Sequence, residues 1–259
     1  MKLLKNHRLR TGLILCFWLC LWQTAALLLS NNILLTGPAE TLRALWQLLQ
    51  TEDFRRSVMT SFLRIGSGFL LSFAAGLLLG AAGYRFPAFG EVLSPAVSLL
   101  KSIPVASFII LALIWAGSGR LSALVAGLVV FPTIYIQTVT GLMHTDSRLL
   151  EMARVFRMPF LPRLRYLYLP ALYPYLYAGL KLSLGMAWKS GIAAEIIGVP
   201  THSIGEHLYL SKVYLETADV FAWTIVIILL SFLCEKVFLF LLSRTVPGGI
   251  REHKDQSSL

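Results

Sequence analysis

The chain has 259 residues, 56% of them hydrophobic and only 14% charged, against roughly a quarter charged in an ordinary soluble domain. A soluble core cannot absorb that excess, because a protein of this length still needs a polar shell; the composition excludes a typical soluble enzyme and fits a polytopic membrane protein. The formal net charge of +10, from 23 Lys+Arg against 13 Asp+Glu, then bears on orientation in the membrane rather than on nucleic acid.

The chain opens on the basic stretch MKLLKNHRLR, followed by an apolar run over 11–29. A secretion signal has the same outline. This run of 19 residues is longer than a usual signal core, and its end at Leu29-Ser30-Asn31 has no small-x-small site, so it is expected to be a retained first span. Further on, Pro38-Ala39-Glu40 opens a helix with a proline in the first turn and an acid near the positive end. Leu42, Leu45, Trp46 and Leu49 follow at helical spacing, the pattern of an amphipathic helix on the outer membrane surface or on the bundle.

Five more apolar stretches are predicted as spans, at 61–83, 93–115, 120–142, 171–197 and 219–242. Six spans of about 20 residues consume roughly 120 residues, leaving room for no large soluble domain. With the N-terminus inside, thirteen Lys+Arg fall in cytoplasmic segments and five in outer ones, which predicts both termini in the cytoplasm. Gly76 and Gly80 in the second span form a GxxxG pair suited to close helix packing. Cys16, Cys20 and Cys234 all sit in apolar runs without metal-ligand spacing.

The inner segment 143–170, MHTDSRLLEMARVFRMPFLPRLRYLYLP, is the most patterned connection. Asp146 suits an N-cap, and Leu149, Leu150, Ala153 and Phe156 share one face of a short helix. Pro159 is expected to stop that helix, Pro162 to start a second, and Pro170 to end the segment before the next span. A loop that merely carries basic residues for orientation needs no such pair of helices.

Glu151-Met152-Ala153 through Leu169-Pro170, with Pro170 standing 19 residues after Glu151, resembles the EAA loop of ABC importer permeases. Two positions depart from that motif: Met152 replaces an Ala, and Arg157 stands where the family has the Gly that turns between the two helices; Pro159 is expected to supply the break instead. Leu100-Lys101-Ser102-Ile103-Pro104 with Ile114-Trp115-Ala116-Gly117-Ser118-Gly119 is similar to the third span of the nitrate/sulfonate/taurine branch. Gly179-Leu180-Lys181-Leu182 and Ala187-Trp188-Lys189 through Ala194-Glu195-Ile196-Ile197-Gly198 are similar to its fifth, and Thr36-Gly37-Pro38-Ala39-Glu40 to its outer segment.

The resemblance implies an all-α type I ABC importer permease fold: six transmembrane helices in a single permease domain over 1–259, with cytoplasmic EAA coupling helices, in a bacterial inner membrane. It implies a second permease copy as homodimer partner, two ATP-binding subunits beneath, and an extracytoplasmic substrate-binding protein. The cargo expected from the branch is a small anion such as sulfonate, taurine, nitrate or bicarbonate; a thiamine-precursor pyrimidine or an aromatic compound is the alternative. The chain has no GxxxxGK[ST] phosphate loop, so it is expected to be no enzyme and to carry no cofactor, with ATP and Mg held by the partner ATPase. In the coupling loop the resemblance gives Glu151 a polar contact with the ATPase, packs Leu150, Ala153 and Phe156 into its groove, and lets Arg154 and Arg157 add charge contacts, with Pro170 closing the motif.

Ionisable residues inside spans are costly and raise functional hypotheses. Lys181, Trp188 and Glu195 recur at seven-residue steps and so share a helix face. Trp188, Glu195 and Lys189, with Lys101 and Pro104 in the third span, are the expected lining of a translocation path; snorkelling of the lysines to the membrane surface is the competing reading. A membrane-embedded enzyme would need converging histidines, acids or nucleophiles, whereas His7, His144, His202, His207 and His253 fall in loops or tails. A secondary carrier without ATPase partners is the remaining class.

Overall fold

A computed structural model describes residues 7–29 and 34–245. The basic residues of 1–6, the Ser30-Asn31 end of the first span, and His253 with the basic tail lie outside the described residues.

Every regular element among the described residues is helical. In chain order they are α1 (His7–Leu29), α2 (Pro38–Leu49), α3 (Glu52–Arg85), α4 (Pro87–Ser102), α5 (Val105–Ala116), α6 (Ser118–Met143), α7 (Ser147–Val155), α8 (Phe160–Arg163), α9 (Leu169–Gly198), α10 (Ile204–Val213) and α11 (Thr217–Thr245). A π-helical turn, Leu164–Tyr168, joins α8 to α9. Four of these helices, α1, α3, α6 and α11, are long and apolar enough to cross a membrane. α9 has the length, at 30 residues, but carries Lys181, Lys189 and Glu195 and is less apolar.

Two spans differ from the sequence expectation. The stretch 93–115 is not one helix: α4 and α5 meet at a bend of 106°. Ile103 is extended (φ −69°, ψ 128°) and Pro104 caps α5, because the residue before a proline is driven out of the helical basin. At Pro104 the helix breaks outright. The second span is longer than 61–83, since α3 starts at Glu52. Thr51 caps it by accepting from the Phe54 N–H at 3.2 Å, and Glu52 and Asp53 suit its positive end. This first polar stretch is invisible to a search for apolar runs.

The core lies where α6 is held between α3 and α9. Ile65 and Phe69 of α3, Val130 and Ile134 of α6, and Leu180, Leu184 and Trp188 of α9 form one buried cluster, joined by Trp223 of α11. The GxxxG pair acts as expected. A Cβ added at Gly76 would stand 2.9 Å from the Ile134 Cβ, and one at Gly80 2.8 Å from the Thr138 Cβ. α2 serves the bundle and the surface together: Thr41 and Ala44 are buried, while Leu42, Trp46 and Leu49 stay exposed. α1 stands apart from this core, most of its apolar side chains exposed and Ala26 buried. It is tethered by Trp22, whose Nε1 donates to the Thr36 carbonyl at 3.0 Å and whose ring meets Phe221 at 5.5 Å.

Replacing Gly80 by Leu forces α3 off α6 and is expected to cost about 1–3 kcal/mol, the usual range for overpacking. A thermal melt of the purified protein in detergent should show the midpoint several degrees lower, while Gly66→Leu, where a Cβ meets nothing within 4 Å, leaves it in place.

Candidate functional site

The loop between α6 and α9 is built by caps and turns that the residues dictate. Asp146 Oδ1 accepts from the Arg148 N–H at 2.8 Å and starts α7, as the sequence indicates. Its end differs from expectation. α7 stops at Val155, before Pro159 can act, and Arg157 itself takes the left-handed conformation (φ 49°). The Arg157 N–H donates to the Arg154 carbonyl at 3.0 Å and the Met158 N–H to the Ala153 carbonyl at 2.8 Å, the paired bonds of a Schellman turn. Those bonds hold an arginine in a backbone region where glycine is usual. Pro159 caps α8 instead. Arg163 Nη2 donates to the Met158 carbonyl at 3.0 Å, tying the start of the second helix to the turn.

Pro170 does not end the segment. From Phe160 to Gly198 the chain is continuously helical, with Pro170 in the first turn of α9. A proline ring clashes with the carbonyl four residues back and offers no N–H. The π turn immediately before it, Leu164–Tyr168, widens the backbone where that conflict falls. Tyr168 on this turn meets Tyr84 near the C-terminal end of α3, ring centroids 6.4 Å apart, and His144 lies 5.3 Å from Tyr175.

The side chains of the loop divide into two sets. Ala153 is only 2% exposed, so it packs within the chain itself; docking of Ala153 into a partner groove, expected from the sequence, is corrected by its burial. Leu150 is half-buried. Phe156 is 77% exposed and Val155 78%, and Phe160 and Leu161 are also open. Glu151, Arg154 and Arg157 are exposed beside them. Sequence reasoning named Phe156 and missed Val155, Phe160 and Leu161. The missed signal was a run of large apolar side chains on both sides of a turn in an otherwise basic loop.

The expected path residues also divide. Lys189 on α9 and Lys101 and Pro104 at the α4–α5 break are exposed. Trp188 and Glu195 are 3% and 0% exposed and lie inside the protomer rather than on an open face. Trp188 faces α3, its ring 6.3 Å from that of Phe62. Glu195 Oε2 accepts from the Ser61 hydroxyl at 2.6 Å and from the Gly205 N–H at 3.3 Å, while Ser61 Oγ accepts from the Ile204 N–H at 2.9 Å. One carboxylate therefore fastens α9, α3 and the start of α10. The seven-residue spacing puts Lys181, Trp188 and Glu195 on one face of α9 but could not show that α3 and α10 cover its C-terminal end.

The seam continues outward. His207 Nε2 lies 3.0 Å from Ser57 Oγ and 3.4 Å from Asp53 Oδ2, and its ring stacks on Trp223 with centroids 4.8 Å apart. His202 contributes through its backbone, whose N–H donates to the Glu206 carboxylate at 2.6 Å.

The family model described as binding-protein-dependent transport system inner membrane component matches residues 72–246. A Bacillus subtilis protein described as an aliphatic sulfonates transport permease is 27% identical over 225 residues, covering 86% of this chain and 81% of its own length. A taurine transport system permease protein of Escherichia coli is 25% identical and covers 91% of this chain and 86% of its own. A nitrate import permease protein of Synechococcus elongatus is 25% identical, with 74% of each chain covered.

Three substitutions check these local readings. Arg157→Gly should leave the loop intact and raise the melting midpoint, since a left-handed non-glycine residue costs about 1–2 kcal/mol, partly offset by the added freedom of an unfolded glycine. Glu195→Leu should lower the midpoint sharply by stranding buried donors on Ser61 and Gly205, at about 1–3 kcal/mol each. Glu195→Gln, which keeps an acceptor, should lower it less.

Proposed function

The chain belongs to the family of binding-protein-dependent transport inner membrane components, and on that premise we propose that it is one of two permease subunits of an ATP-driven importer for a small anion. In this reading α1, α3, the broken α4–α5 pair, α6, α9 and α11 are the six spans of a single permease domain. Both termini lie in the cytoplasm, supported by the thirteen-to-five split of basic residues. A second copy completes the membrane channel, two ATP-binding subunits with their ATP and Mg dock below, and a binding protein delivers cargo from outside. The anionic cargo is supported by relatives named for aliphatic sulfonates, nitrate and taurine.

The observation that carries the reading is the inner loop. Val155, Phe156, Phe160 and Leu161 present apolar surface on two short helices locked by a Schellman turn and by Arg163. Water disfavours such a patch unless a partner covers it. An ATPase groove that closes on ATP binding would push this patch as one body. The push passes directly into α9, because the helical run from Phe160 to Gly198 has no loop to absorb it. Glu151, Arg154 and Arg157 rim the patch and would set its register by charge. Trp188 and Glu195 keep α9 bound to α3 during the movement, while Lys189, Lys101 and Pro104 remain available to the path.

Phe156→Asp should abolish copurification of the ATP-binding subunit, or cut solute uptake by proteoliposomes at least tenfold, because docking would bury an unpaired carboxylate. Ala153→Asp should instead lower the melting midpoint of the chain by itself. Normal assembly and uptake by the Phe156→Asp protein would sink the coupling role.

A further inference from the structure

A groove of about 680 Å³ runs between α3 and α6, and its chemistry differs from end to end. Arg120 and Trp115 stand at one end; Leu71, Leu124, Leu128 and Phe131 continue from them. Arg120 and Phe131 are eleven residues apart on α6, about 16 Å along the helix axis. Two glycines make the floor. A Cβ on Gly68 would collide with the Ala123 carbonyl oxygen, and one on Gly127 would lie 2.6 Å from Ser72 Oγ. The helices therefore touch backbone to backbone, and the hydroxyl of Ser72 sits at the seam.

The charge in this groove is one-sided. Arg120 is its single ionisable group, no carboxylate lines it, and no carboxylate of the described residues pairs with the guanidinium. α5 contributes to the groove only through its last residues, Trp115 and Ala116, beside Arg120.

We propose that this groove is a solute-binding site for an organic monoanion with an apolar body, the anionic group on Arg120 and the body along Leu71, Leu124, Leu128 and Phe131. The proposal rests on the importer reading above and narrows its cargo. Nitrate has no apolar part, so it would meet Arg120 and leave the rest of the groove unfilled. A zwitterion such as taurine brings an ammonium group for which the groove offers no acid. An alkanesulfonate or arylsulfonate satisfies both ends, because two of its anionic oxygens can take paired N–H donors of the guanidinium and the walls gain apolar contact with its body.

The test uses the full transporter in nanodiscs, with Cys16, Cys20 and Cys234 replaced by Ala and Ser72→Cys introduced. Modification by an anionic methanethiosulfonate should be about tenfold faster than by its cationic counterpart, as expected of a cleft with one sign of charge. Arg120→Gln should abolish that preference and Arg120→Lys should restore it. Hexanesulfonate should slow modification, while taurine and nitrate at the same concentration should not. Absence of modification, a preference unchanged by Arg120→Gln, or equal protection by all three solutes would overturn the proposal. So would a disulfide between two copies carrying Leu71→Cys, which would make the groove a subunit seam, or phospholipid as the species released from the groove. Loss of the ATP-binding subunit from the same preparation would instead refute the importer reading, and the protection pattern would still report on the groove.

Discussion

In hydrocarbon there is no water to hydrogen-bond a peptide group, so a spanning chain must stay helical or satisfy each departure from within. The structure is organised around its few departures. At residues 199–203 the chain leaves α9 with Val199 in the left-handed region (φ 41°), its N–H bonded to the Glu195 carbonyl at 2.8 Å. The side chain of the same Glu195, with Ser61, then receives the N–H groups of Gly205 and Ile204. A buried carboxylate that costs much by itself is held because it answers those donors. The corner it secures fixes α9 against α3, and α6 packs beside both.

The other departures coincide with the surfaces assigned a role. The turn at Arg157 creates the exposed apolar patch, the π turn before Pro170 carries that patch into α9 without a hinge, and the break at Ile103-Pro104 divides the third span into α4 and α5. Each is stabilised locally, by a Schellman pair, by a widened turn and by a proline cap. Rigid pieces joined at defined bends can move as units.

Much of the architecture was legible in the residues. Long apolar runs marked α1, α3, α6 and α11; Asp146 marked the start of α7; Gly76 and Gly80 marked a close helix contact. The exposure of a side chain was legible where local chemistry decides it, as with Phe156 beside the end of α7. It was not where a partner element decides it. Glu195 reads as a path residue because charge in a span signals function, and its partner Ser61 is 134 positions away, with no spacing that pairs them. Arg157 reads as a lost turn because glycine is the usual left-handed residue, yet two backbone bonds keep the turn.

From the sequence alone came the helical class, the membrane environment, the family and the pair of short helices between α6 and α9, because hydropathy, capping and motif spacing are local properties read along one chain. The tertiary structure decided which face of each helix is covered. That put Trp188, Glu195 and Ala153 inside the protomer, turned Val155, Phe160 and Leu161 outward, and opened a groove ending at Arg120. Burial depends on neighbours brought from distant positions, and a helix face carries no mark of which neighbour will cover it.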